Sequence, residues 1–136
     1  MAPAKRRILC VDDDDDICFM LTHLLGDENY EVTTITVVGE ALELARNESF
    51  NLYILDEWFP REAGLGLCRK IREFDPHTPI IFYSGAAFGS DKDEALYAGA
   101  QEFIAKPNIE ELIKTVHRLL SDQQEPATST LSATDG

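Results

Sequence analysis

Ile8-Leu9-Cys10-Val11-Asp12-Asp13-Asp14-Asp15-Asp16 runs four apolar residues straight into five aspartates. A segment apolar at every position, rather than at alternate ones, suits a strand buried on both faces. Ile17, Met20, Leu21, Leu24 and Leu25 follow at helical spacing, giving a helix with one buried stripe. The unit is therefore a buried strand, an acidic turn and an amphipathic helix. Asp15 and Asp16 suit the start of that helix, where the macrodipole favours negative charge.

The unit recurs along the chain. Residues 26–29 break the first helix, and the β-branched residues 30–36 read as a strand. Ala41, Leu42 and Ala45 mark a short helix, and Leu52-Tyr53-Ile54-Leu55 is a second solid run that ends in Asp56. Leu67, Cys68 and Ile71 mark a third helix, closed by Asp75-Pro76. Pro79 opens the strand Ile80-Ile81-Phe82-Tyr83. Ser90 with Asp93 reads as a capping box for a helix to about Ala98. Phe103-Ile104-Ala105 is a fifth strand. Asn108 with Glu111 caps a last helix, whose stripe is Leu112, Ile113, Val116, Leu119 and Leu120.

Strands alternating with helices predict an α/β protein, a parallel sheet covered by helices on both faces. Right-handed crossovers and five units favour a flavodoxin-like, doubly wound (βα)5 fold with strand order 2-1-3-4-5. Residues 1–120 form one domain. Residues 121–136, rich in Ser, Thr, Ala and Gln without apolar period, read as a disordered tail or linker. No further domain follows, so the sequence reads as either a complete single-domain protein or a fragment of a longer one.

Composition narrows the function. Against 25 Asp+Glu stand 12 Lys+Arg, a net charge of −13. That opposes binding to nucleic acid or to an anionic membrane. The 3 Cys, at positions 10, 18 and 68, match no disulfide framework and no zinc spacing; they read as reduced core residues, which points to a cytoplasmic setting. The apolar run after Lys5-Arg6-Arg7 is too short for a signal core.

Ligands of an open parallel sheet bind beyond the carboxyl ends of its strands. Strand one ends in the aspartates from Asp12, strand three in Asp56, strand four in Ser84 and strand five in Lys106-Pro107. Converging carboxylates repel unless protonated or bridged by a cation, and a hard divalent ion such as Mg²⁺ is the natural bridge. Carboxylate, divalent ion, hydroxyl and ammonium together suit phosphoryl chemistry.

At these residues the chain resembles a response-regulator receiver domain, the type that includes single-domain chemotaxis regulators. The likeness rests on residues 8–14, on Asp56 followed by Pro60 and Gly64, and on Ser84 after Pro79-Ile80-Ile81. It is completed by Gly99-Ala100 before Phe103 and Lys106-Pro107. It covers roughly residues 6–120. The resemblance implies that Asp56 accepts a phosphoryl group from the phosphohistidine of a sensor histidine kinase or phosphotransfer protein. Asp13, Asp56 and the backbone carbonyl of Trp58 would ligate Mg²⁺, with Mn²⁺ as a substitute, and Asp12 would act through a metal-bound water. Lys106, aimed by a cis Lys–Pro bond, and Ser84 would meet phosphoryl oxygens. Ser84 and Phe103 would form the switch that changes the surface of the fourth helix, fifth strand and fifth helix, with residues 86–89 as the moving loop. A downstream protein or separate output domain would read that surface, from a monomer or a phosphorylation-dependent dimer. The protein would not turn over an external substrate.

Three positions depart from the common pattern: Phe103 for Tyr, Asn108 after Lys106-Pro107, and Asn29 in the turn before strand two. Trp58 stands two residues past the acceptor. Its side chain either shields the acyl phosphate from water or offers an aromatic to a partner. Alternative functions are a constitutive docking module, a small haloacid-dehalogenase-like phosphatase built on Asp12-x-Asp14, and an FMN carrier. Five aspartates at the phosphate loop oppose the last. The charge also sorts by place: seven acids (residues 12–16, Asp56 and Glu57) gather at the proposed site, and Asp122, Glu125 and Asp135 lie in the tail. The remaining 15 acids nearly balance the 12 bases.

Overall fold

The computed structural model describes residues 5–57, 62–85, 89–121 and 123. Strands and helices alternate as β1 (Arg7–Val11), α1 (Asp15–Asp27), β2 (Glu31–Ile35), α2 (Val38–Asn47) and β3 (Leu52–Leu55). They continue as α3 (Glu62–Phe74), β4 (Ile80–Ser84), α4 (Gly89–Ala98), β5 (Glu102–Ala105) and α5 (Ile109–Ser121). The five strands form one parallel sheet in the order β2-β1-β3-β4-β5. This is the expected doubly wound order.

The two-residue period of the strands divides the core into two layers. Leu9, Val11, Tyr53, Leu55, Ile80 and Phe82 pack on one face against α2, α3 and α4. Ile8, Cys10, Leu52, Ile54, Ile81, Tyr83 and Ile104 pack on the other against α1 and α5. The solid apolar runs of β1, β3 and β4 are therefore buried on both faces, while the edge strand β2 is only half-buried. Cys10, Cys18 and Cys68 are free thiols inside the core.

Local signals are met with small shifts. Asp14 is the N-cap of α1, its side chain accepting from the amides of Asp16 and Ile17. Asp15 and Asp16 lie in the first turn, as their charge requires. The helix runs through Gly26 to Asp27, so the chain breaks slightly later than Gly26 suggests. Asn29 then takes φ 70°, a left-handed conformation that asparagine tolerates, and the Tyr30 amide donates back to the Leu25 carbonyl. Asn108 and Glu111 form the expected reciprocal cap of α5. The Asn108 Oδ1 accepts from the Glu111 amide at 3.3 Å, and its Nδ2 donates to Glu111 Oε1 at 3.1 Å. By contrast α4 starts at Gly89, so Ser90 sits within the first turn rather than ahead of it.

At the amino ends of the strands, Gln123 is tied to the sheet. Asn51 Nδ2 donates to its Oε1 at 2.8 Å, its Nε2 donates to the Asn51 carbonyl at 2.9 Å, and Arg6 donates to its carbonyl. Among the described residues, no helix is long and apolar enough to cross a membrane.

Candidate functional site

Beyond the opposite, carboxyl ends of the strands, the ladder continues for one residue past β1, β3 and β5. The Asp12 amide donates to Ile35 (3.1 Å), that of Asp56 to Val11 (3.1 Å) and that of Lys106 to Ser84 (2.9 Å). These three residues are thus fixed by backbone before their side chains make any contact. They also share parity with Cys10, Ile54 and Ile104, the strand positions facing α1 and α5. That common parity is why they converge.

Asp12, Asp13 and Asp56 each offer a carboxylate oxygen, and these atoms all lie within 4.8 Å of one another. Asp12 and Asp56 are buried; Asp13 is exposed at the rim. Lys106 Nζ stands 2.8 Å from Asp12 Oδ2 and 3.4 Å from Asp56 Oδ1. The Asp14 amide donates to Asp12 Oδ1 at 2.9 Å. Ser84, fully buried at the end of β4, hydrogen-bonds the Asp56 side chain. The sequence-derived set Asp12, Asp13, Asp56, Ser84 and Lys106 therefore meets in one place. The Lys106–Pro107 peptide is cis, as the resemblance implied.

Electrostatics follow from this crowding. Burial, and then the Asp12 charge, push the Asp56 carboxyl above its ordinary range, and Lys106 and Ser84 only partly pull it back. Burial disfavours the Lys106 ammonium, but the hydrogen bonds and charges of Asp12 and Asp56 outweigh it and hold its pKa above the ordinary value. With all three carboxylates ionised, one ammonium leaves the cluster two negative charges in excess. All its donors are hard oxygens. That donor set fits Mg²⁺, which takes carboxylate oxygens together with waters and substrate oxygens.

The structure separates residues that the acidic run presents as equivalents. Asp14 is committed to capping α1 and stands outside the carboxylate cluster. A hydrolase of the Asp-x-Asp type needs that second aspartate at the reacting centre, so this reading loses its residue. Phe103 is half-buried against the α2–α3–α4 layer. Trp58 and residues 86–88 lie outside the described residues, as do Asp122 and residues 124–136.

Two neighbours of the site were not singled out as chemical from sequence. Gly64, in the first turn of α3, presses on the Asp56 backbone: a Cβ there would lie 2.2 Å from the Asp56 carbonyl oxygen. Its spacing after Asp56 was the only signal. Tyr83, which reads simply as strand, lies beside Lys106, whose Nζ is 5.9 Å from the ring centroid.

A sequence model of the response regulator receiver domain matches residues 8–117. The chain is 40% identical over 102 residues to regulatory protein VanR of Enterococcus faecium, covering 74% of this chain and 43% of that protein. It is 36% identical over 120 residues to response regulator ArlR of Staphylococcus aureus, covering 88% of this chain and 54% of that protein. It thus spans about half the length of these curated relatives. Among solved structures, chemotaxis protein CheY4 of Vibrio cholerae superposes with TM-score 0.79 at 33% identity, over 86% of this chain and all of that one. A CheY-like receiver domain protein of Methanospirillum hungatei gives 0.81 at 33% identity, over 88% of this chain and 96% of that one.

Proposed function

The chain belongs to the response-regulator receiver family of two-component phosphorylation signalling, and we propose that Asp56 is its phosphoacceptor. The observation that carries this is the juxtaposition of Asp56 with Asp12, Asp13 and Lys106 in one carboxylate–ammonium cluster. One Asp56 oxygen attacks phosphorus in line with the leaving nitrogen of a phosphohistidine. The O–P bond forms as the N–P bond breaks, and the imidazole leaves with the bonding pair. Lys106 offers its ammonium to one phosphoryl oxygen and Ser84 its hydroxyl to another. Asp12, Asp13 and Asp56 are the residues that would hold Mg²⁺ or Mn²⁺, with the Trp58 carbonyl as the implied backbone ligand. A bound divalent ion supplies charge that neutralises the phosphoryl oxygens.

The donor is a sensor histidine kinase or phosphotransfer protein. After transfer, Ser84 follows the phosphoryl oxygens and Phe103 turns inward, shifting a pre-existing equilibrium. The α4–β5–α5 surface is then read by a target protein or an output domain. Tyr97 (92% exposed) and Leu96 are exposed apolar side chains of α4 that such a partner could cover. Partners of this kind place the domain in the cytoplasm, as a monomer or a phosphorylation-dependent dimer. The receiver unit is residues 1–120, with 121–136 as a tail or linker tethered at Gln123. Each phosphoryl group is accepted once and lost by hydrolysis, so the domain is not a multiple-turnover enzyme on an external substrate.

The test is incubation with Mg²⁺ and acetyl phosphate, read by intact-protein mass spectrometry. An adduct of ~80 Da, the added phosphoryl group, is expected on the wild type and absent from Asp56→Ala. An adduct that survives Asp56→Ala, or none on the wild type, overturns the assignment.

A further inference from the structure

Lys106 is held from two directions. On one side are Asp12 and Asp56, at 2.8 and 3.4 Å. On the other is the Tyr83 ring, with Nζ 5.9 Å from its centroid, inside the range of a cation–π contact. The approach follows from the sheet. Tyr83 pairs with Ile104 across β4 and β5, and Lys106 is the next residue of that parity. Tyr83 is 1% exposed and packed in the α1–α5 layer, so its ring is a fixed surface. Lys106 has instead a flexible four-carbon stem, which needs something to hold it.

We propose that Tyr83 is a positioning residue for Lys106: the buried ring keeps the ammonium over the reacting centre while the two carboxylates are engaged elsewhere. This rests on Asp56 as phosphoacceptor. In that reaction a divalent ion would draw on Asp12 and Asp56, and Asp56 also bonds phosphorus, so their hold on Lys106 would weaken as the phosphoryl group arrives. The ring takes no part in those bonds and keeps its contact throughout. An aliphatic residue at position 83 would fill the core equally well but would offer the ammonium no negative π-face.

The experiment compares wild type, Tyr83→Phe, Tyr83→Leu and Tyr83→Met for phosphorylation by acetyl phosphate and for Mg²⁺ affinity by calorimetry. Tyr83→Phe keeps the ring and the wild-type rate. Tyr83→Leu and Tyr83→Met lower the rate about 5-fold, the scale of a partly desolvated cation–π contact, with Mg²⁺ affinity unchanged. In a Lys106→Met background, Tyr83→Met has no further effect on the residual rate. In the folded wild type, the Lys106 side-chain methylene protons resonate upfield of those of surface lysines, a ring-current signature that no variant's folding can affect. Ordinary lysine shifts, a wild-type rate in both ring-less variants, or failure of Tyr83→Phe to keep the rate overturns the assignment to Tyr83 alone. A wild type that takes no phosphoryl group on Asp56 removes the underlying reading as well.

Discussion

Gly64→Ala should disable the site from a residue that contributes no chemistry to it. The new Cβ would stand 2.2 Å from the Asp56 carbonyl oxygen, 3.0 Å from its carbonyl carbon and 3.3 Å from the Glu57 Cα. Ordinary contact begins at 3.4 Å, so the overlap with the oxygen is about 1.2 Å. The obstacle is backbone, and its amide is tied to Val11 on β1 at 3.1 Å. The clash is relieved by the first turn of α3 moving outward or by the Asp56 peptide rotating, and the rotation displaces the Asp56 carboxylate from Lys106 and Ser84. A misplacement of about 1 Å at a reacting group costs on the order of 100-fold in rate. The overpacking itself costs about 1–3 kcal/mol of stability. Gly66→Ala is the control, since nothing lies within 4 Å of a Cβ at that position of the same helix. It should phosphorylate at the wild-type rate and gain about 0.5–1 kcal/mol from helix propensity. The assay is the initial rate of adduct formation with acetyl phosphate and Mg²⁺, alongside urea unfolding. A Gly64→Ala rate within about 3-fold of wild type, or an equal loss in Gly66→Ala, would refute the steric argument.

Three further outcomes are expected. Because burial and Asp12 raise the native Asp56 pKa, the native state binds more protons than the unfolded chain between the ordinary carboxylate pKa and the native one. With EDTA present, wild type should therefore lose stability relative to Asp56→Asn as pH rises through that window; parallel urea midpoints across pH would contradict this. Lys106→Ala leaves Asp12 and Asp56 without their shared ammonium and should cost about 2 kcal/mol in EDTA, below the 3–5 of a fully buried pair because the lysine is partly solvated. Mg²⁺ should restore part of that loss, whereas an unchanged midpoint in EDTA would mean the ion pair is energetically idle. Trp58→Asn should shorten the lifetime of the acyl phosphate if the indole keeps water away. An equal or longer lifetime, read from the decay of the adduct with time, counts against shielding.

Much of the site was legible because its residues sit at strand ends, and strand ends can be read from apolar runs. Ile8 to Val11 and Leu52 to Leu55 stop at charge, so Asp12 and Asp56 announce themselves. Ser84 and Lys106 gain meaning only beside them, through the order of the strands and the family pattern. The acidic run was the least decipherable segment, since five identical side chains carry no internal distinction. Asp14 caps a helix, while Asp12 and Asp13 join Asp56, because the chain turns from strand to helix at that point. Gly64 carried a spacing but no reason.

Residue periodicity and chemistry alone set the alternation of strands and helices, the two-sided burial of the central strands and the acidic, hydroxyl and ammonium residues at the strand ends. Those depend on periodicity and residue chemistry, which are local. The tertiary structure decided which carboxylates share Lys106, why glycine is required at position 64, and that Tyr83 underlies the ammonium. These are contacts between strands or between strand and helix, made by residues eight positions apart for Gly64 and Asp56 and much farther for Lys106 and its partners. Those of Lys106 exist only once the crossovers have brought β1, β3, β4 and β5 side by side, and that of Gly64 only once α3 has folded back on β3.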